Sequence, residues 1–320
     1  MQGVRLSSPS VNVERISAYD TSPRPRAGGF VQIGAFSKIN LILDVLKKRP
    51  DGYHDLCSVM QTLALHDTLT ISIPHNQKEK FRLECSDSRL PTDDRNLVTC
   101  AAKYMIQEYG IAHPVRIQLK KRIPTSAGLA GGSSDCAATL IGLDKLFKLN
   151  IPLHSSRQLS LMKIGQRFGA DVPFCLIGGT VLAEGIGEKL TPLTPHPHCW
   201  IVLACPNIPV STAKVFNRVN LDISPPNDAA TIVEALTQGN LQQIAATLRN
   251  DLTKITVEMH PEIQSLICEL KNQGAIGASM SGSGPSVFGY FSNKESADKA
   301  YTKMKNIAGR AFLTEVVHIV

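Results

Sequence analysis

The chain has 320 residues, of which 43% are hydrophobic and 19% charged, the balance typical of a globular protein. No apolar run approaches the roughly 18 residues that a membrane-spanning helix needs, so no membrane span is predicted. The formal net charge of +7 is spread over short clusters and aromatic residues make up only 5%, so nucleic-acid binding is not predicted. A solvated basic surface explains the charge most simply, and attraction of anionic nucleotides is the alternative.

The first thirty residues lack both apolar periodicity and the apolar centre of a secretory signal, and they predict a disordered extension. Their Arg and Ser content leaves organellar import open, although Glu14 and Asp20 count against it. The eight cysteines form no C-x-x-C pair, so neither a zinc site nor a dithiol redox motif is predicted. Reduced thiols in a cytoplasmic protein are the simplest expectation.

The first half of the chain is predicted to be mostly sheet. Residues 31–45 are β-branched and apolar and predict two short strands joined at 37–40, before the turn signal Asp51-Gly52. Alternation of apolar and polar residues predicts three more strands, at 68–73, 81–85 and 115–119.

Helical spacing of apolar residues begins between these strands and continues after them. Helices are predicted at 96–109, from a serine cap at Ser133 or Ser134 through Phe147, and at 156–168. A strand at 174–183 follows, and Gly185-Ile186-Gly187 is predicted to be a hairpin turn because a dinucleotide fingerprint needs a third glycine.

The second half mixes both kinds of element. The closely spaced Pro192, Pro195 and Pro197 predict a boundary between the halves. Strands are predicted at 200–204, 286–291 and 312–317, and helices at 229–236, 241–249, 261–272 and 297–304. The sum predicts an α+β protein of two lobes.

The strongest chemical signal is the small-residue segment 124–134, P-T-S-A-G-L-A-G-G-S-S, between a predicted strand and a predicted helix. Glycines let the backbone approach a phosphate closely, and the N–H groups of a first helical turn attract anions. The hydroxyls of Ser133 and Ser134 can add hydrogen bonds or contact magnesium. A flexible connector is the alternative, and the Walker and protein-kinase motifs are absent.

Two ionisable residues stand out from their surroundings. Lys38 lies among apolar residues, and Asp171 lies between a predicted helix end and a strand start. Each has a plain alternative, because a lysine can extend from a strand edge to solvent and an aspartate can accept turn N–H groups. A second glycine-serine cluster at 279–285 fits either a loop over a phosphate or sugar or a tight turn.

Taken together, these segments resemble the GHMP kinase superfamily, named for galactokinase, homoserine kinase, mevalonate kinase and phosphomevalonate kinase. The order and spacing of the motifs agree from about residue 31 to the C-terminus. K-I-N-L at 38–41 followed by R-P-D-G-Y-H at 49–54 resembles the branch that phosphorylates a cytidylyl derivative of methylerythritol. G-A-D-V-P-F at 169–174 and A-E-G-I-G-E at 183–188 strengthen that resemblance.

The resemblance implies roles at the matching positions. Asp171 resembles the general base that accepts the proton of the substrate hydroxyl, and Lys38 resembles its partner, which stabilises the emerging alkoxide. The implied cofactors are ATP and Mg²⁺, with the magnesium ligands left open. The residues that would bind ATP are Asn96, Pro124, Thr125, Ser126, Ala127, Gly128, Leu129, Ala130, Gly131, Gly132, Ser133 and Ser134.

The same resemblance implies a site for a small cytidylyl substrate. Tyr53 and Phe216 resemble an aromatic pair that encloses cytosine, and His54 would read the edge of the base. Asn40 and Thr212 would hold the erythritol-phosphate portion. Neither a nucleic acid nor a membrane is an implied partner.

The implied fold is the two-lobed GHMP kinase fold, of class α+β. A ribosomal-protein-S5-like lobe would span 31–190 and a ferredoxin-like lobe 191–320, with the active site in the cleft between them. The implied function is ATP-dependent phosphorylation of a hydroxyl in non-mevalonate isoprenoid precursor biosynthesis. The alternatives are a sibling kinase of the mevalonate or homoserine type, and a nucleotide-binding regulator without activity. The presence of both Lys38 and Asp171 argues against a regulator.

Overall fold

Sheets of eight, four and two strands organise the residues that the computed structural model describes, namely 12–19, 25–153, 160–220 and 229–319. The strands are β1 Asn12–Val13, β2 Ile16–Tyr19, β3 Phe30–Lys48, β4 His54–Ser72, β5 Phe81–Cys85, β6 Val115–Lys120, β7 Thr180–Gly185, β8 Lys189–Pro192, β9 Trp200–Ala204, β10 Arg249–Asn250, β11 Gly277–Met280, β12 Val287–Phe291, β13 Ala311–Glu315 and β14 His318–Ile319. The helices are α1 Leu97–Glu108, α2 Gly131–Phe147, α3 Leu161–Gln166, α4 Val172–Ile177, α5 Thr212–Phe216, α6 Ala230–Thr237, α7 Leu241–Thr247, α8 Leu252–Met259, α9 Glu262–Asn272 and α10 Lys294–Ala308.

The eight-stranded sheet forms the N-terminal lobe. Its order is β10-β3-β4-β6-β5, with β2 added to β3 and the β7–β8 hairpin added to β4. Helix α2 packs against β3, β4 and α1. Apolar residues from the inner face of the sheet and from α2 form one buried core, including Ile33, Ile71 and Leu140. Since α2 begins directly after residues 124–130, this packing fixes the glycine-rich segment against the sheet.

Strand β3 differs from the prediction of two short strands joined at 37–40. It is one strand of 19 residues, paired with β4 along its length. The pairing register shifts between Phe36 and Lys38 and again between Asn40 and Ile42, as it does at β-bulges. Bulges interrupt the alternation of the sequence while leaving the strand continuous, which explains why the pattern was mistaken for a break.

The four-stranded sheet forms the C-terminal lobe. Its order is β11-β12-β9-β13 and every neighbouring pair is antiparallel. Helices separate β9 from β11, and α10 separates β12 from β13, which is the βαββαβ connection of a ferredoxin-like lobe. Helices α9 and α10 pack against the sheet. The predicted α+β class is confirmed.

Several predicted elements between residues 131 and 177 needed correction. Residues 174–177, predicted to be strand, belong to α4, whose first turn contains Pro173 and which ends before Gly178 at a φ of 69°. Helix α2 starts at Gly131 rather than after a serine cap, since its cap residue Ala130 is in the left-handed region with a φ of 56°. Part of the predicted helix at 156–168 lies outside the described residues, and α3 begins after the cap Ser160.

The N-terminal segment is also corrected where the structure describes it. Residues 12–19, predicted to be disordered, form β1, which pairs with β14, and β2, which pairs with β3. Arg15 between them is buried. The rest of the predicted extension, except residues 25–30, lies outside the described part of the chain. Among the described residues, no helix combines the length and apolar character needed to cross a membrane.

Candidate active site

A cleft of about 690 Å³ lies where the two lobes meet. Both lobes contribute to its wall. From the N-terminal lobe come β3, the start of β4, the glycine-rich loop and the segment before α4, and from the C-terminal lobe come α5 and the loop between β11 and β12. The lining includes Lys38, Asn40, Tyr53, His54, Gly128, Ala130, Ser133, Asp171, Thr212 and Phe216. The cleft therefore brings together the predicted catalytic pair, part of the predicted ATP loop and all five predicted substrate residues.

Lys38 is held in the cleft by a chain of hydrogen bonds that starts on β3. Its side chain is 5% exposed, and Nζ donates to Oδ1 of Asn40 at 2.7 Å. Asn40 Nδ2 donates to Ser58 Oγ at 2.8 Å, and Ser58 Oγ donates to Ile42 O at 2.6 Å. Lys38 and Asn40 are two residues apart on a strand, so both face the same side. The alternative of a lysine that extends to solvent is excluded by its burial.

Asp171 faces Lys38 across the cleft. Asp171 Oδ2 lies 3.8 Å from Lys38 Nζ, and the side chain of Asp171 is 39% exposed. Although Asp171 occupies the cap position of α4, its side chain makes no cap hydrogen bond. The carboxylate is therefore not used to satisfy the turn, and it remains accessible to a hydroxyl bound in the cleft.

The glycine-rich loop meets the second glycine-serine cluster beside this pair. Ser281 Oγ donates to Gly128 O at 2.9 Å, and Lys38 N donates to Leu129 O at 3.2 Å. Gly128 has a φ of 73°, and a Cβ there would lie 2.2 Å from Ser281 O. A side chain at this position would push the two loops apart, which is why the position requires glycine.

The residues of the predicted ATP loop divide into different environments. Gly128, Ala130 and Ser133 line the cleft, whereas Ala127 and Leu129 belong to the buried core. Ser134 is buried and its hydroxyl donates to Gly131 O at 2.9 Å. Pro124 is buried, and Thr125 and Ser126 are exposed at the outer side of the loop. Gly131 and Gly132 open α2, where unpaired N–H groups favour an anion.

Asn96, the predicted ATP residue outside the glycine-rich loop, is also not part of the cleft lining. It is the N-cap of α1, where Oδ1 accepts from Val98 N at 3.0 Å and Nδ2 donates to Pro91 O at 2.8 Å. Its side chain is thus engaged in shaping the loop before α1.

A buried ion cluster lies beneath the first turn of α2. Lys121 Nζ donates to Asp135 Oδ2 at 2.6 Å and also to Asp67, whose carboxylate accepts from Ile123 N at 2.9 Å. All three side chains are at most 7% exposed. Burial raises the pKa of Asp135 well above its usual range, which the Lys121 ammonium opposes. This cluster ties the glycine-rich loop to β4.

The far end of the cleft is aromatic. The rings of His54 and Phe216 have centroids 5.5 Å apart at an angle of 34°, and Tyr53 is 61% exposed at the rim. Burial, and secondarily the charge of Lys48, lowers the pKa of His54 below its ordinary value. A neutral imidazole carries one donor and one acceptor, which suits the edge of a base. Thr212 Oγ1 lies 2.8 Å from Ser283 Oγ in the same wall.

Sequence reasoning missed several residues that shape the site. The short basic clusters attributed above to a solvated surface include Lys120-Lys121-Arg122, yet Lys121 is buried, and Asp67 and Asp135 were not singled out. Ser58 supports Asn40 from the neighbouring strand β4, a contact that only the strand pairing reveals. The available signal for the ion cluster was a lysine directly after strand β6 and an aspartate just after the first turn of α2.

Comparison with known proteins places this geometry in a family. Residues 96–179 match the family model "GHMP kinases N terminal domain", and residues 232–310 match "GHMP kinases C terminal". The homoserine kinase of Cytophaga hutchinsonii, at 18% identity, shares the fold with a TM-score of 0.68, covering 94% of this chain and 98% of that structure.

Relatives with higher sequence identity assign the chain to one branch of the family. The chain is 42% identical over 276 residues to the 4-diphosphocytidyl-2-C-methyl-D-erythritol kinase of Lachnoclostridium phytofermentans, covering 86% of this chain and 92% of the relative. It is 38% identical over 281 residues to the kinase of the same name from Bacillus subtilis, covering 88% and 95%. A solved 4-(cytidine 5'-diphospho)-2C-methyl-D-erythritol kinase is 31% identical with a TM-score of 0.76, covering 89% and 98%. The chain therefore belongs to the GHMP kinases and, within them, to the family of the 4-diphosphocytidyl-2-C-methyl-D-erythritol kinases.

Proposed function

We propose that the protein transfers the γ-phosphate of ATP to the 2-hydroxyl of 4-diphosphocytidyl-2-C-methyl-D-erythritol, in non-mevalonate isoprenoid precursor biosynthesis. One observation carries the proposal. A buried lysine lies 3.8 Å from an aspartate whose carboxylate is not used by the fold, between a glycine-rich loop and an aromatic recess. This arrangement can hold a nucleotide phosphate on one side and a base on the other.

In the proposed reaction Asp171 accepts the proton of the 2-hydroxyl as that oxygen bonds to the γ-phosphorus. The bond from the γ-phosphorus to the bridging oxygen breaks, and ADP leaves with the electron pair. A positioned base contributes roughly 10²- to 10⁴-fold to the rate. Lys38 lies close enough to Asp171 to stabilise the charge on the attacking oxygen, and the Asn40 contact fixes its ammonium in place.

The glycine-rich loop is proposed to hold the ATP phosphates. Gly128, Ala130 and Ser133 line the cleft, and the first turn of α2 starts at Gly131. Phosphoryl transfer depends mainly on positioning and charge stabilisation, so a rigid loop at this place suits the reaction. Asn96 and the remaining residues of 124–134 contribute by shaping the loop and its surroundings.

Magnesium is the expected companion of ATP. Among the described residues, no group of three or more His, Cys, Asp or Glu side chains gathers as a metal site. We propose that Mg²⁺ is bound largely through the ATP phosphates and water, a common mode for this ion. The hydroxyl of Ser133 is the proposed protein contact, and bound Mg²⁺ would neutralise charge on the transferred phosphoryl group.

The aromatic end of the cleft is proposed to bind the cytidylyl group. Phe216 already packs against His54, and the exposed Tyr53 can cover the opposite face of the base. Stacking suits any base, so the donor and acceptor of neutral His54 supply the selection of cytosine. Asn40 and Thr212, between this end and Lys38, are proposed to contact the erythritol-phosphate portion. We further propose a cytoplasmic location, where a reducing environment suits the eight free cysteines.

A coupled ADP-release assay tests the proposal. Mg-ATP is supplied with 4-diphosphocytidyl-2-C-methyl-D-erythritol, and parallel reactions contain mevalonate or homoserine. Turnover of the cytidylyl acceptor alone is expected, since neither sibling acceptor carries a group for the aromatic recess. Turnover of mevalonate or homoserine instead would overturn the substrate assignment.

A further inference from the structure

The loop at residues 281–284 contacts the reacting groups from the C-terminal lobe. Gly282 N donates to Asn40 Oδ1 at 3.0 Å, and the same oxygen accepts from Lys38 Nζ at 2.7 Å. A Cβ on Gly282 would lie 3.6 Å from Lys38 Nζ, so the loop backbone lies directly against the ammonium. The position of this loop therefore sets the position of the lysine.

A buried asparagine outside the cleft lining holds the loop from its inner side. Asn250 Nδ2 donates to Met280 O at 2.9 Å and to Gly282 O at 2.8 Å. Its Oδ1 accepts from Leu252 N at 2.9 Å, and the residue is 8% exposed. Both donors of the carboxamide thus bind loop carbonyls, and its oxygen binds the start of α8. Only an amide of this length presents two donors and one acceptor in this arrangement.

Asn250 is anchored by strand pairing to β3, the strand that carries Lys38. Asn250 lies on β10, which pairs in parallel with β3, with Asn250 opposite Leu43. The neighbouring Arg249 binds the fully buried Asp44 of β3 through two hydrogen bonds, of 2.8 and 2.7 Å. Paired contacts of this kind give a defined geometry. The distance from β3 to the loop is thereby fixed through β10.

We propose that Asn250 is a positioning residue for phosphoryl transfer. It fixes the 281–284 loop and, through Gly282, holds Asn40 and Lys38 in reacting geometry. The inference rests on the proposed roles of Lys38 and Asp171. Asn250 itself lies outside the lining of the cleft in which ATP and the acceptor would bind.

Asn250→Asp is the sharpest test, because it keeps the size of the side chain. It replaces the donor group with a carboxylate oxygen that faces two carbonyl oxygens, so the loop must shift. A misplacement of about 1 Å near reacting groups costs on the order of 10²-fold in rate. We expect kcat to fall by about that factor while KM for both substrates changes much less, because positioning acts on the transition state.

Asn240→Asp, ten residues earlier in the chain, is the matched control. Asn240 caps α7 and uses only its oxygen, which accepts from Gln243 N at 3.1 Å. Aspartate is an equally good cap, so this variant is expected to keep the wild-type kcat. Circular dichroism and thermal unfolding are measured for both variants. Asn250→Ala, which introduces no charge, gives the same comparison if Asn250→Asp does not fold.

A double-mutant cycle with Asn40→Ala separates positioning from general damage. If Asn250 acts through Asn40, adding the Asn250 change to Asn40→Ala lowers kcat far less than it does in the wild type. Independent, multiplicative losses in kcat overturn the inference, as does an unchanged kcat in Asn250→Asp. All assays use whichever acceptor of the panel the wild type phosphorylates. If the wild type does not phosphorylate the cytidylyl acceptor, the proposed function is refuted. The role of Asn250 is then decided with the acceptor that the wild type does phosphorylate, mevalonate or homoserine.

Discussion

Lys38 and Asp171 differ in how the protein holds them. Lys38 is almost fully buried and bound to Asn40, whereas Asp171 is 39% exposed and makes no cap hydrogen bond. A fixed cation beside an accessible carboxylate suits a reaction in which the carboxylate takes a proton from an incoming hydroxyl. The two side chains therefore have separate tasks, and substitutions should separate them.

Replacing Asp171 by asparagine removes the base while keeping the shape of the side chain. We expect kcat to fall by roughly 10²- to 10⁴-fold, because the general base is lost. The affinity for ATP should be nearly unchanged, because Asp171 is not part of the glycine-rich loop that is proposed to hold the ATP phosphates. Steady-state kinetics and calorimetric titration of ATP measure the two quantities. The control is Asp298→Asn, which changes only an exposed ion pair with Lys294 on α10. A kcat close to that of the wild type would remove Asp171 from the role of base.

His54 makes the binding of the cytidylyl group depend on pH. Its pKa lies below the ordinary value because the ring is buried and Lys48 is near, so it is neutral at pH 7. As the pH falls through this lowered pKa, the imidazole gains a second donor and loses its acceptor. We expect affinity for cytidine diphosphate to fall roughly 2- to 10-fold, the value of one hydrogen bond.

Calorimetric titration at several pH values, with His54→Gln as reference, tests that expectation. Glutamine offers a donor group and an acceptor oxygen that do not change with pH, so ionisation of the ligand affects both proteins equally. The ratio of wild-type to variant affinity should decrease toward acid pH. A constant ratio would show that His54 does not read the base.

The contacts of these residues show what the sequence could predict. Lys38, Asp171 and His54 belong to motifs whose residue types stand out locally, and the structure brings them into one cleft. Ser58 and Asn250 were not predicted, because their importance arises from strand pairing with β3 and from a loop more than thirty residues away. Asn96 caps α1 in the structure, and its assignment to ATP stays a prediction.

At the scale of elements, the glycine-rich loop depends on the ion cluster beneath it. Lys121 is 7% exposed and binds two carboxylates that are equally buried. Replacing Lys121 by methionine leaves both without a countercharge. Breaking a buried ion pair in this way lowers the free energy of unfolding by about 3–5 kcal/mol.

Denaturant unfolding measures this change. The neighbouring Lys120 is exposed, so Lys120→Met is the matched control and should change stability by at most about 0.5 kcal/mol. Adding Asp135→Asn to Lys121→Met should recover part of the loss, because one unpaired carboxylate is removed. Equal stability of the two lysine variants would contradict the account of the cluster.

Element boundaries were least predictable where the backbone departs from a regular repeat. The strand at 81–85 and the helix at 97–108 follow their patterns closely and were predicted within a residue or so. The bulges of β3 hid a continuous strand, and Ala130 in a left-handed conformation started α2 without a side-chain cap. Both irregularities lie at the site, where the backbone is shaped by contacts between loops.

On the scale of the whole molecule, the two lobes are joined by more than the chain connection between β8 and β9. Strand β10 pairs with β3, and Leu63 bridges to Val316. Leu65 N donates to Thr314 Oγ1 at 2.9 Å, and Gln61 Nε2 to Val317 O at 3.1 Å. The predicted boundary at 190/191 falls within β8, and these contacts between the lobes lead us to expect a single folding unit.

We expect the protein to unfold in one cooperative transition. Scanning calorimetry should give a single peak whose calorimetric and van't Hoff enthalpies agree, as in two-state unfolding. The contacts between β3, β4 and the C-terminal strands must be lost together, which couples the lobes. Two resolved peaks would mean that the lobes fold independently, and the boundary at 190/191 would then divide true domains.

The proposed reaction attaches the phosphate to one particular oxygen of the acceptor. Its most direct test is ³¹P and ¹³C NMR of the product formed from ATP and 4-diphosphocytidyl-2-C-methyl-D-erythritol. We expect an intact diphosphate and one new phosphomonoester signal, with phosphorus coupling at C2 of the erythritol unit. A monoester coupled to another carbon, or release of free phosphate without a new ester, would contradict the assignment of Lys38 and Asp171 to transfer at the 2-hydroxyl.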